Sequence, residues 1–131
     1  MATGADIRSR APRWPVQDFF QDLAWNDSVV TNPPYNIAVN IIEHALSHVR
    51  VFGYVCALVQ AKFLFSQKRK PLFERPEMDR VIIMSRRPSM PPGEALLEHG
   101  EKIRGGGSID FCWAVWRVGK MDGAPTIEWA V

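Results

Sequence analysis

Between positions 36 and 49 the apolar residues Ile37, Ile41 and Ala45, joined by Ala38, Ile42, Leu46 and Val49, recur at the period of about 3.6 residues that gathers them on one helix face. The pattern predicts an amphipathic helix over 36–49, with Gly53 closing the connection that follows. Shorter runs have strand length. Residues 54–60 are continuously apolar through Val55, Cys56, Ala57, Leu58 and Val59, the mark of a strand buried on both faces. Val81, Ile82, Ile83 and Met84 predict a second such strand over 80–86, and residues 29–31 a brief central one. Residues 109–118, with Phe111, Trp113, Val115 and Val118, read as a strand that sends Trp113 and Trp116 to opposite faces. An edge strand follows over 126–131. A second helix is expected within 61–73, interrupted near Pro71, and a short turn or helix within 15–23. Residues 1–14 are polar, proline-punctuated and expected to be loosely held. Residues 88–108, broken by Pro88, Pro91 and Pro92 and by several glycines, predict a long loop.

Strand, helix, strand, helix and strand, closed by a strand pair, predict an α/β unit with a mostly parallel sheet. A length of 131 residues with 47% hydrophobic content suits one domain over 1–131 with a sizeable core. The charged fraction of 23% and net charge of +2 neither demand nor exclude nucleic acid. Cys56 and Cys112 lie in apolar runs, where cysteine acts as a small hydrophobe, so no disulfide framework is indicated and a reducing cytoplasm is the expected compartment. With no apolar run near 18 residues and no signal-peptide pattern, neither a membrane span nor secretion is expected.

The chemistry is concentrated in Asn32-Pro33-Pro34-Tyr35, at the exit of the strand over 29–31. Successive prolines fix φ and remove two backbone donors, which gives a rigid extended turn with free carbonyl acceptors. A conjugated amine is a poor nucleophile because its lone pair is delocalised. If the Asn32 side-chain oxygen and the Pro33 carbonyl oxygen each accept one of its N–H bonds, the nitrogen is driven toward a pyramidal form with its lone pair aimed at an electrophile. Tyr35 adds an aromatic face on which the ring bearing that amine can stack.

With this motif the chain resembles the amino-group methyltransferases that use S-adenosylmethionine, and among them the adenine-specific DNA methyltransferases of phage and prophage type. The resemblance carries the catalytic [DNS]PP[YFW] motif onto Asn32, Pro33, Pro34 and Tyr35. It matches Asp6, in GADIR, to the acidic residue that holds the cofactor ribose. Asp18 and Phe19, in QDFFQDL, match the pair that flanks the cofactor adenine. The implied fold is a Rossmann-like methyltransferase domain whose mostly parallel sheet ends in a C-terminal antiparallel hairpin. The implied reaction moves a methyl group from S-adenosylmethionine to the N6 amine of adenine in DNA, with the base flipped into a pocket beside Tyr35 and no metal required. GGGSIDFCWAVW also resembles the phage-type DNA enzymes. One departure stands out. The family's Gly-rich cofactor loop should precede Asp6, yet only five residues do so, and Gly105, Gly106 and Gly107 read as a flexible connector. The expectation is an N-terminally truncated domain, for which an N-terminal complementing chain or a second copy would be the partner.

Three basic clusters, Lys68 with Arg69, Arg86 with Arg87, and Lys102 with Arg104, are candidate phosphate contacts; solvated surface charge explains each equally well. His44 and His48 lie one helical turn apart, but no third ligand of matching context accompanies them, so they read as an exposed helix face rather than a metal site. Two further functional readings stay open. One is methylation of another planar amine or amide, a protein glutamine or RNA adenine. The other is a catalytically silent remnant serving as a DNA-binding or subunit-interaction module.

Overall fold

The computed structural model describes residues 18–21, 27–87 and 109–130. The segments expected to be loosely held (1–14) and looped (88–108), with Asp6, Lys102, Arg104 and the glycine run at 105–107, lie outside the described residues. Five strands are present: β1 (Val29–Thr31), β2 (Tyr54–Gln60), β3 (Met78–Met84), β4 (Phe111–Arg117) and β5 (Thr126–Ala130). The helices are α1 (Ala38–His48) and the single-turn α2 (Lys70–Phe73), each preceded by a 3-10 segment, Tyr35–Ile37 and Ala61–Phe65 respectively.

Pro34 sits at φ −55° and ψ 132°, extended geometry that keeps it out of the helix. Its carbonyl accepts the Ile37 N–H at 3.1 Å, so the chain makes one 3-10 turn before α1 begins. The periodic residues Ala38, Ile41, Ile42, Ala45 and Leu46 form the buried face of α1. The helix stops where Val49 becomes extended, its N–H donating to the Ala45 carbonyl at 2.9 Å. Pro71 does not interrupt a helix; it lies in the first turn of α2, where its missing N–H costs no intrahelical bond.

The sheet corrects the expected fold. It is mixed, in the order β1-β2-β4-β3-β5, with two parallel pairs (β1 with β2, β3 with β5) and two antiparallel ones (β2 with β4, β3 with β4). A Rossmann-like, mostly parallel sheet with a C-terminal antiparallel hairpin is not what these residues form. β4 inserts between β2 and β3 and pairs with β2 along its whole length, from Tyr54 opposite Arg117 to Gln60 opposite Phe111. With both edges of β4 occupied, β5 has no place beside it. Gly119 and Gly123, both at positive φ, let the connection turn past the end of β3, and β5 pairs with the outer edge of β3.

Strand alternation puts Val55, Ala57 and Val59 of β2 and Cys112, Ala114 and Trp116 of β4 in one core with α1, Phe63 and Leu72. Trp116 is fully buried, and its indole N–H donates to the Leu72 carbonyl at 3.1 Å, which ties α2 to the sheet. On the opposite face Leu58 and Val115 are buried, while Cys56 and Trp113 are half-buried. Among the described residues no helix is long and apolar enough to cross a membrane.

Candidate functional site

β1 is parallel to β2, β5 is parallel to β3, and β4 opposes both β2 and β3, so every strand except β4 points the same way. Their carboxyl ends share one end of the sheet, a common place for ligands in sheets of parallel neighbours. β1 delivers Asn32 to Tyr35 there, β2 delivers Gln60 and then Lys62, and β3 leads to Arg86 and Arg87. The reversed β4 starts at the same end, where the Ala61 N–H donates to the Asp110 carbonyl at 2.8 Å.

A cleft of about 200 Å³ opens between these segments, lined by Asn32, Pro33, Tyr35, Ala38, Leu58, Val59, Gln60 and Phe111. Pro33 is buried and anchors the turn, whereas Asn32, Pro34 and Tyr35 are exposed. The oxygen acceptors differ in availability. The Pro34 carbonyl is taken by Ile37, but the Asn32 side chain and the Pro33 carbonyl have no donor among the described residues. Tyr35 stands edge-on to the fully buried Phe63, with ring centroids 6.0 Å apart and an interplanar angle of 76°. The result is a half-open cleft of mixed polar and apolar lining, with two unclaimed acceptors and an aromatic ring among its walls.

Sequence motifs did not point to Gln60, Phe111, Lys62 or Phe63. A polar residue ending the apolar run of β2 was the available signal for Gln60. Phe111 enters through its register opposite Gln60, which only strand pairing reveals. Arg69 and Lys62 flank the Tyr35 ring: the Arg69 guanidinium carbon is 4.8 Å and the Lys62 ammonium 5.1 Å from its centroid. Lys68 is exposed on the same connection. Arg86 is exposed beyond β3, but Arg87 is paired with Asp110, at 2.6 Å from Nε to Oδ1. That carboxylate offsets its charge.

Asp18 and Phe19 are not part of the cleft. Asp18 accepts the Phe20 N–H through Oδ1 at 3.0 Å, a local turn cap, and Phe19 packs edge-on against His44 with centroids 5.4 Å apart. His44 lies six residues along α1 from Ala38, roughly 9 Å at 1.5 Å per residue, further along the axis from the Asn-Pro-Pro-Tyr turn. His44 and His48 are half-buried with rings 4.2 Å apart, not an exposed face. Burial, aided by the neighbouring His48, lowers the His44 pKa from its ordinary value. Among the described residues no group of three His, Cys, Asp or Glu side chains is arranged to hold a metal ion. Burial also pushes the Cys56 and Cys112 thiols up, which argues against thiolate nucleophiles at neutral pH.

The residues matched to S-adenosylmethionine do not converge here: Asp6 is outside the described residues, and Asp18 and Phe19 sit against His44. The cleft is also below the roughly 300–1,000 Å³ usual for sites of larger ligands. The described residues by themselves do not form a cradle of the size the cofactor needs. No family model matches the chain, and no curated protein matches it.

Proposed function

We propose that the cleft is the acceptor site of an amino-group methyltransferase, taking the exocyclic N6 amine of an adenine extruded from DNA. The methyl donor, S-adenosylmethionine, would be held by residues outside the cleft or by a complementing chain. The observation that carries this reading is the pair of unclaimed oxygens, the Asn32 side chain and the Pro33 carbonyl, beside Tyr35 in a slot of ring size. Each oxygen can accept one N–H of a planar amine, which localises the nitrogen lone pair. Leu58, Val59 and Phe111 offer apolar surface against which the ring can pack, opposite the polar edge formed by Asn32 and Gln60. Gln60 can pair with the edge of a base, since its amide both donates and accepts.

The test is incubation of the chain with mixed-sequence DNA and S-adenosylmethionine, digestion, and mass-spectrometric quantification of N6-methyladenine, with Asn32→Ala as control. Loss of a positioned polar partner of this kind lowers turnover by about 10²–10³. An Asn32→Ala rate equal to that of the wild type would refute the assignment.

A second reading has an observation in its favour. The described residues contain no cofactor cradle, which suits a silent remnant or a DNA-binding or subunit-interaction module. Equilibrium binding of S-adenosylmethionine separates the two. The enzyme reading expects binding by the chain or by its assembly with an N-terminal fragment; the module reading expects none in either case.

A further inference from the structure

The Tyr35 ring, which borders the cleft, is already in contact with two cations that do not themselves line it. The Arg69 guanidinium lies 4.8 Å from the Tyr35 centroid and 4.3 Å from that of Phe63, and the Lys62 ammonium lies 5.1 Å from Tyr35. Arg69 is half-buried and Lys62 exposed, and among the described residues neither has a carboxylate partner. The nearby ion pair, Lys70 with Glu74, leaves both unneutralised. The backbone around Arg69 is fixed, its N–H bonded to the Ser66 carbonyl at 3.0 Å and its carbonyl accepting from Leu72 at 3.0 Å. The side chain itself rests on the two ring faces, with no hydrogen bond to a described residue. A planar guanidinium stacks on an aromatic ring much as a base does, and its N–H fork also suits a phosphate.

We propose that Arg69, assisted by Lys62, is the specificity determinant of this cleft. Its guanidinium, resting against the Tyr35 ring, yields the ring to an incoming base and pairs with the phosphate carried by the same nucleotide. The ligand class is a purine nucleotide bearing a phosphate, within a nucleic-acid strand or free, and neutral planar amides are disfavoured because they displace the cation and offer it nothing in return. The inference rests on the reading of the cleft as a base-acceptor site.

Equilibrium dialysis with labelled adenosine, deoxyadenosine 5′-monophosphate, a short single-stranded oligonucleotide and a glutamine-containing peptide tests it. The wild type should prefer the monophosphate over adenosine by about tenfold, the size of one charge-assisted contact. Arg69→Gln should abolish that preference while binding adenosine as well as the wild type or a few-fold better. Lys62→Gln should reduce the preference partly. Arg69→Lys, which keeps the charge, should retain part of it. The salt dependence of oligonucleotide binding should weaken in Arg69→Gln by about one ionic contact. Stronger binding of the oligonucleotide than of the monophosphate assigns the strand as the source, and the reverse assigns the free nucleotide. Retention of the phosphate preference by Arg69→Gln overturns the proposal, as does stronger binding of the peptide than of the monophosphate. So does an equal loss of adenosine and monophosphate binding in Arg69→Gln, which would make the residue a packing element. Asn32→Ala serves as the separate control. It should weaken adenosine and monophosphate alike, so a wild type that binds neither refutes the acceptor-site reading, whereas intact adenosine binding without a phosphate preference refutes only the role of Arg69.

Discussion

Replacing Trp116 with phenylalanine should unfold the segment that carries Arg69 more easily than any surface change. Trp116 is fully buried, donates to the Leu72 carbonyl at 3.1 Å and lies 5.7 Å from the Phe73 ring. Phenylalanine keeps the six-membered ring but removes the N–H and roughly two methylene-sized carbons. At about 0.8 kcal/mol for each buried carbon the packing loss is about 1.6 kcal/mol. The broken hydrogen bond adds about 1 kcal/mol, because the Leu72 carbonyl stays buried. The sum is about 2.5 kcal/mol. For a chain of 131 residues, an unfolding entropy of about 2.1 cal/mol/K per residue turns this into a Tm lower by about 9 °C. Urea titrations followed by far-UV circular dichroism measure the difference, with Trp129→Phe as the comparison. Trp129 is 67% exposed, so its replacement should cost less than about 0.5 kcal/mol. A loss below about 1 kcal/mol for Trp116→Phe, or equal losses for both variants, would refute the assignment of Trp116 as the anchor of α2.

Gly53→Ala should cost about 2 kcal/mol or more, since a β-carbon there would lie 2.2 Å from the Asp27 carbonyl oxygen and 2.5 Å from Val49 Cγ1; a urea midpoint within error of wild type would show that the turn can relax. The acid limb of stability should depend on His44. Burial and His48 depress its folded pKa below the ordinary 6.5 despite the opposing pull of Asp18, so the unfolded chain takes up the proton first. The contribution is fully present above pH 6.5 and is lost as pH falls from there through the folded pKa. His44→Gln should flatten that slope in urea titrations between about pH 8 and 5, and an unchanged slope would assign it to other groups.

What the sequence reveals and what it hides divide along a physical line. α1 was legible because its signal is local: the residues that define its face lie within four positions of one another, and Pro34 sets its start. β2 was legible as an apolar run bounded by Gly53 and Gln60. Strand order was not, because pairing is decided by contacts far apart in the chain. Nothing within residues 111–117 states that β4 will enter between β2 and β3, and nothing in 126–130 chooses the outer edge of β3 over β4. The same applies to the site. The Asn-Pro-Pro-Tyr turn declares itself, since proline restricts its own residue and the one before. The approach of Arg69 and Phe63 to Tyr35 depends on how the 3-10 segment after β2 comes to lie beside the turn after β1. Asp18 and Phe19 illustrate the converse: a short string matched by type does not state its neighbours, and it is the structure that puts Phe19 beside His44.

On the proposed reading, the site combines a backbone-fixed turn with a cation held only by ring contacts, and the difference would bear on substrate choice. Asn32 and Pro33 leave β1 on a proline-stiffened turn whose next carbonyl is pinned by Ile37, so the Pro33 carbonyl is fixed by the backbone, while the exposed Asn32 side chain would be ordered on binding. Arg69 has the opposite character. Its backbone is bonded on both sides, through Ser66 and Leu72, and Leu72 is in turn held by Trp116, but its guanidinium rests only on aromatic faces. A contact of that type is worth about 0.5–2 kcal/mol, comparable to the roughly 1–3 kcal/mol of base stacking on an aromatic ring. The exchange of guanidinium for base is therefore nearly balanced, and the balance tips when the displaced cation finds a new anion within reach. A neutral amide supplies none. On the proposed reading, the two oxygens would accept from a planar amine of any origin, and the Arg69 cation would be the element that separates a nucleotide from a peptide side chain.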